Sequence, residues 1–125
     1  MSRTPRDYDR EFTTPLSYRV RRRIGYSTER GEVMRFVIQM EYRIANDWTE
    51  VVRFDHDSEG EHGHDVTVEG VHMDVYRDGE KVDSPEIFPP MPAGAALTSA
   101  EEHLTRHGER YTKRFERWHD INRSR

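Results

Sequence analysis

The sequence predicts an α+β fold, in which an antiparallel β-meander of about four strands packs one face against one long C-terminal helix. Three observations lead to this fold class. Apolar and polar residues alternate through most of residues 16–54, a pattern typical of half-buried strands. Apolar residues then recur at helical spacing over residues 100–118. A proline-rich connection separates the two patterns.

The composition is typical of a small single-domain protein without disulfides. Its 125 residues are 33% hydrophobic and 35% charged, which indicates a single domain with a thin core. Residues 1–13 are polar and predict a flexible N-terminal arm, and residues 14–122 predict one α+β domain. The absence of cysteine excludes disulfides and thiolate metal sites. Without a long apolar run or an apolar leader, a cytoplasmic protein with no membrane partner is expected.

The first three strands follow from alternation. Their shared apolar faces comprise Leu16, Tyr18, Val20, Ile24 and Tyr26, then Met34, Phe36, Ile38, Met40, Tyr42 and Ile44, and finally Trp48, Val52 and Phe54. A slip of one residue would turn every apolar side chain of a strand to solvent. The three strands are therefore expected to pair as an antiparallel meander with one apolar face.

The fourth strand is predicted over residues 65–76, with a change of phase in the middle. Two valines in one phase precede Gly70 and three apolar residues in the opposite phase follow it, so a β-bulge is expected at Glu69-Gly70. Residues 85–96 contain four prolines and are predicted to be a surface connection.

The C-terminal helix is predicted to begin at Thr98 or Ser99. Each is followed three residues later by a glutamate, which is the capping-box arrangement. The apolar stripe of this helix comprises Ala100, Leu104, His107, Tyr111, Phe115 and Trp118. Burying its large side chains on the sheet contributes about 1.5–3 kcal/mol each before the entropy cost of ordering them.

Titratable residues are densest in residues 55–65, where three histidines and five acidic residues occupy eleven positions. The segment directly follows the third strand, and loops held by a rigid sheet often carry function. If the third and fourth strands pair, Arg53, Asp55, His72 and Asp74 are expected to face the same side.

Three interpretations of this segment stay open from the residues alone. In an acid–base site, one imidazole accepts a proton, another donates one, and an arginine stabilises phosphoryl charge. That combination suits metal-independent RNA cleavage, with no cofactor and no metal. The candidate catalytic residues are Arg53, Asp55, His62, His64 and His72, with His56 as a further histidine.

The other two interpretations involve a metal or no chemistry. His62 and His64, two residues apart, share a face of an extended segment, and His56 or Asp65 would complete a ligand set. An HxH pair alone is a weak signal, and no HExxH motif is present. A loop rich in glycine and glutamate is also typical of a solvated turn.

An arginine-rich sheet face is the second feature. The arginines predicted to contact nucleic acid are Arg19, Arg21, Arg23, Arg35 and Arg43. A row of arginines can follow a phosphate backbone. The alternative is a solvated face with cross-strand ion pairs, such as Arg19 with Glu41. If the arginine face is a binding surface, the alternative function is a non-catalytic module that binds nucleic acid or an acidic protein.

Several segments together resemble a known group of proteins. They are residues 36–42 (FVIQMEY), 48–55 (WTEVVRFD), 62–65 (HGHD), 72–74 (HMD) and 76–80 (YRDGE). They resemble a family of short prokaryotic proteins that is similar to TumE-like toxins of toxin–antitoxin pairs. Those proteins share an arginine–aromatic–Asp strand ending, a histidine-containing loop and a terminal helix with an aromatic stripe. The resemblance covers residues 36–118, and the acidic residues 57–61 depart from it by lengthening the loop.

The resemblance implies a toxin-type protein that acts on RNA or translation and is partnered by a small antitoxin protein. Among the candidate residues, it carries over most directly to Arg53 and Asp55. The matching central histidine is either one of His62 and His64 or His72.

Overall fold

The computed structural model describes residues 8–59 and 64–121. The elements are β1 (Arg10–Pro15), β2 (Val20–Glu29), β3 (Glu32–Ile44), β4 (Asp47–Asp57), β5 (Val71–His72), β6 (Asp74–Arg77), β7 (Glu80–Asp83), β8 (Glu86–Phe88) and α1 (Ala93–Trp118). Six strands form one antiparallel sheet in the order β1-β2-β3-β4-β6-β7, and β5 pairs with β8. The α+β class with one long C-terminal helix is confirmed, but the sheet has six strands rather than about four.

The centre of the sheet is the predicted meander. Ile38 of β3 lies opposite Ile24 of β2 and Phe54 of β4, so the apolar faces are in register. Arg30 and Gly31, both with positive φ, form the β2–β3 turn, as tight hairpins between twisted strands require.

The helix covers the apolar face of this meander. Phe115 packs on Tyr42 with ring centroids 5.3 Å apart, and the Tyr42 hydroxyl donates a 2.7 Å hydrogen bond to buried Glu116. Gly108 allows close approach, because a Cβ there would lie 2.9 Å from the sulfur of Met40. The core therefore lies between α1 and the centre of the sheet, and the opposite sheet face carries the polar side chains.

The helix begins at Ala93, five residues before Thr98, so the predicted capping box is wrong. Pro92 occupies the N-cap position, and buried Ala93 and Ala96 already belong to the helix. The Thr98 hydroxyl instead donates to the Gly94 carbonyl one turn back. The predicted surface connection over residues 85–96 thus contains β8 and the first turn of α1.

The predicted fourth strand is divided. After Asp65 the chain turns, because the Asp65 carbonyl accepts the N–H groups of Val68 and Glu69. Val66 is buried, whereas Val68 is 74% exposed. Gly70, with φ +89°, redirects the chain into β5 and then β6. The change of phase therefore marks a turn and not a bulge within one strand.

The N-terminal strand extends into the predicted arm. β1 begins at Arg10 and pairs antiparallel with β2, with Phe12 opposite Ile24. All six of its residues are exposed, which explains why no periodic pattern identifies it. Leu16 and Tyr18, predicted to begin the first strand, are exposed in the connection before β2. In the part of the chain described, no helix is long and apolar enough to cross a membrane.

Candidate functional site

The candidate site lies where the C-terminal half of β4 meets residues 64–74. Two contacts place His64 beside this strand. The backbone N–H of Asp57 donates to the His64 carbonyl at 2.8 Å, and the His64 N–H donates to Asp55 Oδ1 at 3.1 Å. The histidine is thus held at the strand end by both its backbone and the Asp55 side chain.

Arg53 and Asp55 form the base of the site on β4. Two residues apart on one strand, they face the same side, and Arg53 Nε donates to Asp55 Oδ2 at 3.1 Å. Arg53 also lies opposite Asp74 of β6 in the sheet. The expected pairing between the strands is present for Arg53 and Asp74, and Asp55 lies on the same face of β4 as Arg53.

His64 lies between two carboxylates. Its Nε2 is 3.1 Å from Asp74 Oδ1, and its Nδ1 is 3.2 Å from Glu69 Oε1. The hydrogen bond with Asp74 raises the pKa of His64 to about 9, aided by Glu69 and opposed by burial. At neutral pH both ring nitrogens therefore carry a proton and both donate.

Asp74 is the buried centre of this network, with 3% exposure. Burial disfavours its charge, but hydrogen bonds from His64 and Ser84 outweigh that effect and lower the pKa of Asp74. The Ser84 hydroxyl donates at 2.6 Å, and Lys81 Nζ lies 3.5 Å from the other oxygen. Asp74 thus stays ionised and fixes the His64 ring.

Glu69 is held in a different way, at the surface. The turn after Asp65 brings it back so that Oε2 accepts the Asp65 N–H at 3.0 Å. That backbone hydrogen bond, with the one from His64, lowers the pKa of Glu69. Its side chain remains 44% exposed. Glu69 therefore forms the solvent side of the site.

His72 stacks on His64, with ring centroids 5.3 Å apart and planes 12° from parallel. It belongs to β5, which pairs with β8 and not with β4. His72 thus reaches the site by ring stacking instead of the strand pairing that was predicted. Its Nδ1 is buried and has no hydrogen-bond partner among the described residues.

His56 lies outside this cluster. It is buried, stacks on Phe36 at 5.9 Å, and accepts the Val66 N–H on Nδ1 at 3.1 Å. Burial lowers the pKa of His56, although the carboxylates of Asp65, Asp57 and Asp55 act in the opposite direction. A neutral His56 therefore anchors the turn that carries Glu69.

Four of the five predicted catalytic residues, Arg53, Asp55, His64 and His72, are brought together, and His62 lies outside the described residues. Sequence reasoning missed Glu69 and Ser84. For Glu69 a local signal existed. The Asp65-Val66-Thr67 sequence is typical of a side-chain-stabilised turn, and Asp65 Oδ1 accepts both the N–H and the hydroxyl of Thr67.

Arginines on the polar face of the sheet form ion pairs with carboxylates on the same face. Arg21 Nε donates to Glu41 at 2.6 Å, and Arg23 Nε lies 3.8 Å from the same carboxylate. Arg35 Nε lies 3.4 Å from Asp57. The predicted cross-strand partner of Glu41 was Arg19, so the observed register is shifted by two residues to Arg21. The face is therefore close to electrically balanced.

Arg19 and Arg43 do not join this row of pairs. Arg19 precedes β2 and acts on the Tyr42 hydroxyl, opposing the increase in the pKa of Tyr42 that burial and Glu116 cause. Because that hydroxyl points to the helix, Arg19 interacts with a group on the helix side of the sheet. Arg43 lies at the end of β3, with its guanidinium 5.7 Å from the Tyr18 ring.

A family model covers every strand and the helix described above. The model described as a domain of unknown function (DUF7718) matches residues 6–121. The chain belongs to the DUF7718 family. No curated protein and no solved structure matches it. The resemblance to TumE-like toxins stays a prediction.

Proposed function

We propose that this DUF7718 protein is a toxin-type ribonuclease that cleaves RNA by metal-independent acid–base catalysis. The observation that carries the proposal is the stacked pair of His64 and His72, 5.3 Å apart, with buried Asp74 bound to one ring. Two imidazoles in unequal surroundings are what an acid and a base require.

The proposed reaction assigns each histidine one proton transfer. His72 removes the proton from a ribose 2′-hydroxyl, and the oxygen attacks the adjacent phosphorus. The bond from phosphorus to the 5′-oxygen breaks, and His64 gives its Nδ1 proton to that leaving oxygen. The products are a 2′,3′-cyclic phosphate and a 5′-hydroxyl, so no water or oxidant is consumed.

The neighbouring carboxylates and arginine support these roles. Asp74 holds the far side of the His64 ring, which leaves Nδ1 as the nitrogen that faces the reaction. Glu69, bound to Nδ1 and exposed, is the group that a phosphate would displace. Arg53, whose Nε is held by Asp55, stabilises phosphoryl charge through its terminal amino groups.

The proposed biological setting is the cytoplasm, with RNA as substrate and a small antitoxin protein as partner. A simple electrostatic RNA surface is less well supported, because Arg21 and Arg23 already share the Glu41 carboxylate. The alternative of a non-catalytic binding module therefore has the weaker physical basis, although the same experiment tests it.

The test combines induced expression with cleavage of labelled RNA by purified protein in a buffer containing EDTA. Wild type is expected to arrest growth and to leave 2′,3′-cyclic phosphate ends. His64→Gln and His72→Gln are each expected to lower the cleavage rate by at least about 100-fold, the usual contribution of a catalytic acid or base. His107→Gln is the matched control, since His107 lies on α1 outside the cluster.

Three outcomes contradict the proposal. Equal cleavage by wild type and both variants would indicate a contaminating nuclease. RNA binding that weakens with salt, without cleavage, would indicate the binding module. Folded protein that neither cleaves nor binds RNA would reject both functions.

A further inference from the structure

The histidine cluster carries an inference beyond RNA cleavage. We propose that His64, Glu69 and His72 together bind one divalent transition-metal ion such as Zn²⁺. One ring nitrogen of each histidine and one oxygen of Glu69 all lie within 4.8 Å of one another. Two imidazoles and one carboxylate are a ligand set that Zn²⁺ uses in hydrolases and that Fe²⁺ uses in oxygenases.

The spacing requires only a small rearrangement. Bonds of roughly 2.1 Å in tetrahedral geometry put neighbouring ligand atoms about 3.4 Å apart. His64 Nδ1 and Glu69 Oε1 are already 3.2 Å apart and face each other. Because Oε2 of Glu69 is held by the Asp65 N–H, the carboxylate keeps this orientation while Oε1 binds the ion.

Asp74 supplies the hydrogen-bond acceptor that metal-bound histidines usually have at the ring nitrogen that does not bind the metal. Its oxygen lies 3.1 Å from His64 Nε2, so Nε2 keeps its proton and Nδ1 becomes the ligand nitrogen. The Ser84 hydroxyl fixes the same carboxylate oxygen at 2.6 Å. A carboxylate–histidine–metal series of this kind orients the ring and increases its basicity as a ligand.

An independent observation comes from His72. Its Nδ1 is shielded from solvent and has no hydrogen-bond partner in the described part of the chain. Buried polar atoms are nearly always paired, so an orphaned ring nitrogen requires an explanation. The ring that carries this unpaired nitrogen stacks on His64 and supplies one ligand atom of the proposed site.

The site therefore has three protein ligands, and zinc commonly takes water or a substrate atom as a fourth. Binding of the ion does not depend on RNA cleavage. If cleavage also occurs, the ion would inhibit it, because it would occupy ring nitrogens that the proton transfers need. Only this last consequence depends on the proposed function.

The test measures metal binding directly. Untagged protein is stripped with EDTA, desalted and titrated by calorimetry with Zn²⁺, and the visible spectrum is recorded with Co²⁺. One Zn²⁺ per chain and a Co²⁺ spectrum with nitrogen ligands are expected, and Mg²⁺ should not compete because it prefers oxygen ligands. Glu69→Gln and His72→Ala should each weaken Zn²⁺ binding by more than about tenfold, since loss of an outer partner alone costs 10–100-fold.

The control variant is His107→Ala. His103 and His107 lie one helical turn apart with ring centroids 4.7 Å apart, so they are another pair that can chelate an ion. Binding that survives in His107→Ala and is lost in Glu69→Gln supports the proposed site. Binding lost only in His107→Ala, unchanged in both ligand variants, or absent with Zn²⁺ in excess overturns it. None of these readouts requires RNA.

Discussion

Asp55→Ala tests how the histidine segment is held to the sheet. The Asp55 carboxylate, 8% exposed, accepts one hydrogen bond from the His64 N–H and one from Arg53 Nε, each at 3.1 Å. Alanine removes the acceptor from both donors. A hydrogen bond to a charged group contributes about 1.5–3 kcal/mol, so two predict a loss of roughly 3–6 kcal/mol in the free energy of unfolding. Because Arg53 retains some access to water, a value near the lower end is expected.

Urea denaturation at neutral pH measures this loss, and an unchanged slope with urea would show that the folded state keeps its compactness. Asp55→Asn keeps an acceptor but loses the charge, so about half the effect is expected. Asp57→Ala is the matched control, because the Asp57–Arg35 pair is longer, at 3.4 Å, and more exposed. It should cost less than about 1 kcal/mol. The reasoning fails if Asp55→Ala is as stable as Asp57→Ala.

Three further predictions also concern the stability of the fold. Because burial lowers the pKa of His56, its contribution should be intact above the ordinary histidine pKa of about 6.5 and be lost as the pH falls below it. Urea titrations of His56→Asn should therefore show a shallower acid loss than wild type, and an identical pH profile would contradict this. Tyr42→Phe removes the 2.7 Å hydrogen bond to buried Glu116 and should lower the unfolding free energy by about 1–3 kcal/mol, with a double-mutant cycle against Glu116→Gln as the check. Gly70→Ala combines a φ of +89° with a Cβ 2.9 Å from a backbone oxygen of β8, so its melting temperature should fall further than that of Gly79→Ala, which has positive φ but open space.

The fold could be predicted where the pattern is local. In β3 the alternation of apolar residues alone fixes which face meets the helix, and Phe36, Ile38 and Tyr42 are all buried as expected. β1 was missed because an exposed edge strand needs no apolar alternation. The helix start was missed because Ala93 and Ala96 are small and follow a series of prolines. Their burial therefore produces no apolar stripe that the sequence would reveal.

The site could be predicted only in part, for a similar reason. Arg53 and Asp55 follow from their spacing on one strand, and Asp74 follows from pairing of that strand with β6. Glu69 joins the cluster through the local turn that follows Asp65, a signal that was overlooked, and Ser84 joins it through a strand connection that depends on tertiary packing. The balance of the arginine face likewise depends on register, which decides that Glu41 meets Arg21.

The hydrogen bond from the Asp57 N–H to the His64 carbonyl joins the main chain of the histidine cluster directly to the last residue of β4. A displacement of this strand end is therefore transmitted to the His64 ring through the backbone, whichever side chain occupies position 57. The geometry of the cluster thus depends on the position of the strand end as well as on the hydrogen bonds of its own side chains.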